Sequence, residues 1–343
     1  MFNRSSFRPL NLSLSFVLAA LLTETAFLGA KGVSGLYAGL QSDEYLGPVR
    51  VETRVIENEV FTEGPAVDRE GNVYFTNIPV AKILKWDPST KTLTEFRTGS
   101  GKANGLRFTM DGDLLACEGG TGRVTRTDMK TGAISVLADQ YSGKGLQSPN
   151  DLDFDSQGRI YFSSRENNPD LSQKNAKAVY RIDPGGSIHQ LISEPDVHMP
   201  NGVVVSPDEK TLYVIEAHPA DDHNRSILAF DLESDGSISN RRTLINFYPG
   251  RSGDGMCIDR EGNLYVAAGL HNLRNDSETL DTRPGIHVIS PNGELLAYAE
   301  TPEDTITNVT FGGEGLKTLY VTCGTYLLSI RTQIAGKQSY GPE

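Results

Sequence analysis

Six tetrapeptides spaced through the chain each carry one oxygen-bearing side chain. They are TEGP at 62–65, KANG at 102–105, SPND at 148–151, MPNG at 199–202, GDGM at 253–256 and ITNV at 306–309, and the side chains are Glu63, Asn104, Asn150, Asn201, Asp254 and Asn308. A Tyr or Leu follows at a fixed offset: eleven residues after Glu63, Asn104, Asn150 and Asp254, twelve after Asn201 and Asn308. Asn-Gly and Asp-Gly pairs favour turns, which explains any one motif but neither six in register nor Glu63. Carboxylate and amide oxygens without His or Cys are hard donors, suited to one divalent cation of the Ca2+ or Mg2+ type. An amide-rich, high-coordination set favours Ca2+, with Mg2+, Mn2+ or Zn2+ as the alternatives.

Elements must bring these residues together, and a repeat of roughly fifty residues supplies them. A polar turn leading into a short apolar strand recurs six times, as in DREGNVYFTN (68–77), DSQGRIYFSS (155–164) and DREGNLYVAA (259–268). A second strand follows each, and five of the six continue into a further one. Four β-rich segments per unit and six units predict an all-β fold, a six-bladed β-propeller over 49–335. The last unit lacks its outer strand, and VRVETRVIE at 49–57 is placed to supply it and close the ring. Innermost strands line a propeller's axis, so the six side chains are expected to converge there.

Chain direction also sets the mouth. If each innermost strand starts at the level of the six residues, the second strand returns to that face. The loops at 163–178, 217–226 and 268–284 therefore surround the opening, and loops of this length carry specificity. Arg165, Glu166, His218, His223, His271 and Arg274 are the candidates there. His189, His198 and His287 read as structural, on strands or far-face turns.

Arg4 and Arg8 precede an apolar run from Leu10 to Leu22, with small residues at Gly29 and Ala30. This pattern predicts an export signal over 1–30, a linker over 31–48, a C-terminal tail over 336–343 and a periplasmic or secreted location. The run is short for a membrane span, so no membrane association is expected once the signal is removed. A net charge of −12 argues against a nucleic-acid partner. Three widely spaced cysteines, Cys117, Cys257 and Cys323, read as buried thiols.

TEGP, SPND, MPNGVVVSPDEKTLYVIE (199–216), DGMCIDREGNLYVAA (254–268), NVTFGG and LYVTC resemble the SMP-30/gluconolactonase/LRE-like family, calcium-dependent six-bladed propeller lactonases, from about residue 50 to 331. The resemblance implies that Glu63, Asn150, Asn201 and Asp254 hold the metal, and that Asp254 is catalytic. Asn104 and Asn308 are not reliably used in that family. Two departures, Ser148 where one branch has Arg and Ser164-Arg165 where many bacterial members have TDP, fall beside the substrate.

The activity implied is a metal-dependent hydrolase opening the ring of a sugar-acid lactone. Asp254 would activate water, and Ser148, Asn104, Arg165, Glu166 and His218 would contact the substrate. A phosphotriesterase- or arylesterase-like hydrolase, or a non-enzymatic calcium-stabilised binding propeller, are the rival readings. The expected partner is a small-molecule lactone, bound by a monomer.

Overall fold

The computed structural model describes residues 37–165, 172, 175, 177–220 and 223–337. The segment expected to be an export signal lies outside the described residues, as does Glu166. Six four-stranded antiparallel sheets form the blades of a β-propeller. Their innermost strands are Thr62–Val67, Ala103–Phe108, Ser148–Phe154, Pro200–Val205, Gly253–Ile258 and Ile306–Gly312, in blades 1 to 6. Blade 6 takes its outer strand from the other end of the chain: Arg50–Arg54 pairs antiparallel with Tyr326–Arg331, with Arg50 opposite Ser329. The expected closure is therefore present.

The repeated Tyr or Leu is the knob that joins blades. Tyr74 of blade 1 packs edge-on against Phe108 of blade 2, centroids 5.1 Å apart, and Tyr265 of blade 5 against Phe311 of blade 6 at 4.9 Å. Leu115 shares a buried cluster with Phe154, Tyr161 with Val205, Tyr213 with Ile258, and Tyr320 with Val67. Each blade thus buries one large second-strand residue against the innermost strand of the next, all the way round. Burial of apolar surface of this kind is what propeller stacking offers in place of a single central core.

The polar turns are stapled by their leading residue. Asp68 Oδ1 accepts the Asn72 backbone N–H, and Asp259 Oδ1 accepts those of Glu261 and Asn263. Gly71 and Gly262 both sit at φ 88°, which the tight turn requires and a side chain resists.

Both flanks of the propeller are fastened to it. Within the predicted linker, Leu46 is buried and Gly47 N–H donates to the Arg331 carbonyl, while Ser42 Oγ accepts Tyr298 N–H. Within the predicted tail, Lys337 reaches the far end of the axis, its Nζ 3.3 Å from Asp153 and 3.0 Å from the Val205 carbonyl. The three cysteines are free and buried. Among the described residues no helix is long and apolar enough to cross a membrane.

Candidate functional site

Every innermost strand breaks register at the position of its oxygen-bearing residue. The irregularities fall between Glu63 and Ala66, Ala103 and Leu106, Pro149 and Leu152, Pro200 and Val203, Gly253 and Met256, and Ile306 and Asn308. A β-bulge re-aims a side chain out of strict alternation. Six at one level turn the six expected residues toward one another. Close approach of neighbouring blades depends on the residue that follows: a Cβ on Gly64 would lie 2.1 Å from the Asn104 carbonyl oxygen, and one on Gly255 would lie 2.1 Å from Asn308 Cγ.

Glu63, Asn150, Asn201 and Asn308 are buried; Asn104 and Asp254 are partly covered. Asn201 Nδ2 donates to Asp254 Oδ1 at 2.5 Å, joining blades 4 and 5. Asn308 Nδ2 donates to Asp151 Oδ2 at 3.2 Å. The Glu63 carboxyl is pushed well above its ordinary pKa, first by burial, then by the nearby Asp254 and Asp151 charges; hydrogen bonds from Gly64 and Asn308 oppose this. Asp151 is pushed up to about 7, chiefly by burial.

Asp151 was not anticipated from the sequence. Strand alternation aims the neighbours Asn150 and Asp151 at opposite faces, and the bulge between Pro149 and Leu152 lifts that restriction. Beneath it, Asp153 pairs with Arg107 at 3.0 Å and with Lys337. These two cations hold its carboxyl below the usual range although burial pushes the other way.

Among the described residues no group of three His, Cys, Asp or Glu side chains is disposed to hold a metal. The axial set has a different chemistry, two carboxylates supplemented by amides. Asn104 Oδ1 is buried without a hydrogen-bond donor, and the Glu63, Asp254 and Asp151 carboxylates crowd one another. A hard cation would relieve the crowding, so the carboxylates and their amide neighbours fit such an ion, while Asn104 lines a cavity above them.

A cavity of about 610 Å3 opens over this level between blades 2 and 3. Asn104, Ser148, Asn150 and Arg165 line it, together with Lys102 and Met199. Ser148 and Arg165 are cross-strand partners, so both departures from the family pattern sit side by side.

His218 stands apart from that cavity's lining. Its ring stacks on His223 at 3.8 Å, and His198 meets His223 edge-on at 4.5 Å. Burial, and then His223, lower the His218 pKa. This corrects the expectation for His198. It lies two residues ahead of the innermost strand of blade 4 and therefore sits on the mouth face, where Glu216 Oε2 accepts its backbone N–H. His271 and Arg274 are loop pins: His271 Nε2 lies 3.1 Å from the Thr301 carbonyl, and Arg274 Nη2 donates to the Asp304 carbonyl. His189 pairs with Asp183 at 2.9 Å, and His287 is buried in blade 5.

Arg225 also escaped the sequence reading. It is 1% exposed and donates to the carbonyls of Pro219, Pro249, Gly250 and Ser277, tying three mouth segments together. A lone Arg at a strand start carries no sequence signal of such a role.

The fold and axial donor ring define a six-bladed propeller of the kind that encloses a polar site on its axis. A family model described as SMP-30/Gluconolactonase/LRE-like region matches residues 61–325, and the chain belongs to that family. It is 30% identical over 317 residues to a gluconolactonase of Zymomonas mobilis, covering 84% of this chain and 83% of that one. It is 28% identical over 285 residues to regucalcin of Homo sapiens, covering 81% and 88%. Among solved structures, a gluconolactonase from Xanthomonas campestris superposes with a TM-score of 0.67 at 26% identity, over 84% of this chain and 98% of that one. A calcium-binding regucalcin from Agrobacterium tumefaciens shares the fold, with a TM-score of 0.65 at 18% identity over 86% and 97%.

Proposed function

We propose that the protein is a metal-dependent hydrolase that opens the ring of a sugar-acid lactone. The observation that carries this reading is the axial ring itself, carboxylates Glu63 and Asp254 set among amides, with Glu63 pressed by the Asp254 and Asp151 charges. The gluconolactonase relatives support the substrate class.

Glu63, Asn150, Asn201 and Asp254 would hold the ion, with Ca2+ the best match to their chemistry. When bound, a divalent cation supplies Lewis acidity toward a lactone carbonyl and acidifies a neighbouring water. Asp254 acts as the base. Asn201 holds its Oδ1, which fixes the carboxylate's orientation. As the water oxygen bonds to the carbonyl carbon, Asp254 takes one proton, and it returns that proton to the ring oxygen when the ester C–O bond breaks. The net change is lactone plus water to hydroxy acid. Asn104 and Ser148, in the cavity wall, are placed to hydrogen-bond substrate hydroxyls.

The test is a panel of aldonolactones, aryl esters and phosphotriesters, assayed before and after chelation, with Ca2+, Mg2+, Mn2+ and Zn2+ restored separately. Chelator-sensitive opening of an aldonolactone is expected. Metal binding without turnover of any ester would leave a binding propeller and sink the hydrolase reading. Export through residues 1–30 belongs to the same proposal, and N-terminal sequencing of the mature protein tests it.

A further inference from the structure

We propose that the cavity between blades 2 and 3 is a subsite for an anionic substituent of the substrate, a carboxylate or phosphate received by Lys102 and Arg165. This deepens the lactonase reading and rests on it for the reaction, though not for binding.

Charge is the first observation. The chain carries −12 overall, yet among the described residues two cations and no carboxylate side chain line this cavity. Among the described residues neither Lys102 nor Arg165 has an ion-pair partner. Arg123, Arg126, Arg242 and Arg251 each meet a carboxylate in this acidic protein. Arg165 is half-buried and, among the described residues, unpaired, which costs desolvation that an incoming anion would offset.

The carboxylate under this wall is already neutralised. Glu118 lies beneath it, fully buried, with Arg97 Nη2 at 2.7 Å and Arg123 Nε at 2.6 Å. Arg97 and Arg123 are thus taken up by Glu118, and among the described residues Lys102 and Arg165 are the cations left lining the cavity. A concave wall lined by cations concentrates anions and steers charged ligands toward it.

The wall is also shaped for the two side chains. A Cβ on Gly120 would lie 3.0 Å from Lys102 Cβ, and one on Gly119 would lie 2.8 Å from Ser148 Oγ. Bare backbone at 119 and 120 leaves room for the Lys102 stem on one side and the Ser148 hydroxyl on the other. Ser148 stands directly opposite Arg165 across the strand pair, so a hydroxyl and a guanidinium project side by side. Arg offers a planar fork to an oxyanion, Lys a point charge, and Ser a neutral donor. Asn104 and Asn150 line the same cavity, which puts the anion subsite next to the axial ring.

Calorimetric titration with glucose, glucuronate and glucose 6-phosphate tests this directly, on the native protein and on a Lys102→Gln/Arg165→Gln double variant whose folding is verified by thermal melting. One charged sugar is expected to bind at least about tenfold more tightly than glucose, the gain expected of a charge-assisted contact, and to weaken as salt rises. Whether glucuronate or glucose 6-phosphate gains more assigns the anion as carboxylate or phosphate. The double variant should lose that preference. In kinetics the ratio of kcat/KM for glucaric acid lactone over gluconic acid lactone should fall at least about tenfold in the double variant if the carboxylate is the ligand. Equal binding of all three sugars, or a preference that survives in the double variant, overturns the proposal. A charged-sugar preference without turnover of any lactone upholds the subsite and rejects the hydrolase.

Discussion

Asn308 Nδ2 donates to Asp151 Oδ2 at 3.2 Å, and the two residues belong to blades 6 and 3, which face each other in the sixfold order. The axis is therefore bridged by one hydrogen bond just where the donor ring lies. Asn308 also accepts the Val309 N–H through Oδ1 at 2.8 Å, so its amide is fixed at both ends. Replacing Asn308 by Ala strands a buried carboxylate oxygen, at a cost of about 2 kcal/mol. Urea unfolding should show the midpoint fall with the slope unchanged; an unaltered midpoint would mean that water takes over the bond.

Asp254→Asn should separate holding an ion from using it. The amide keeps an oxygen donor and loses the proton acceptor, so turnover of an aldonolactone should drop at least about a hundredfold. Calcium binding, followed by calorimetry, should weaken but persist. Full activity in this variant would remove Asp254 from the mechanism proposed for it.

Repetition made the fold readable. Six Tyr or Leu residues in register mark the blade interfaces because each does the same packing job, Tyr74 on Phe108 and Tyr265 on Phe311. The donor ring was legible for the same reason. What a single position does without a repeat was not. Asp151 points inward only because a bulge breaks alternation, and bulges leave no mark in residue type. The sequence places His198 on a strand or far-face turn as a structural residue, yet its place just ahead of the blade 4 inner strand puts it on the mouth beside His218 and His223. The cationic lining of Lys102 with Arg165 joins residues 63 positions apart that only the blade arrangement makes neighbours.

Arg225 offers a test of how the mouth is held. Its guanidinium makes hydrogen bonds of 2.6 Å to both Pro249 and Pro219 carbonyls, and no described carboxylate pairs with it. Ser277 Oγ bonds the Pro219 carbonyl as well. Lysine keeps the charge but cannot reach several carbonyls in a planar fork. Arg225→Lys should cost about 3 kcal/mol, read in chemical unfolding, and should expose 217–220 and 275–279 to faster amide exchange. Protection unchanged in those segments would show that they hold themselves.

Gly255→Ala probes the blade 5 to blade 6 contact. The added methyl would fall on the Asn308 side-chain amide, which is held by its bonds to Asp151 and Val309 and so gives way only by losing one of them. Displacing that amide should break its bond to Asp151, and the variant should melt several degrees lower and bind calcium more weakly. A Tm and calcium affinity equal to those of the native protein would show that the blades part without cost.

His287 predicts an acid limit that lies away from the axis. It is buried in blade 5, its Nε2 2.8 Å from the Tyr37 hydroxyl, with the Tyr298 ring 5.1 Å away. Tyr37 also accepts the Arg283 N–H, so the imidazole sits in a buried, hydrogen-bonded cluster. Burial lowers the His287 pKa from 6.5 to about 4. Between those values the unfolded chain binds a proton that the folded chain refuses, so stability falls as pH drops through that window. The full contribution is present above about 6.5 and gone below about 4, a swing of about 3 kcal/mol. Carboxylates titrating in the same range are common to both proteins, so the difference between native and His287→Gln unfolding free energies isolates the histidine. That difference should shrink steadily from pH 6.5 to pH 4; a constant difference would show that His287 takes up its proton as readily in the folded protein as in the unfolded chain.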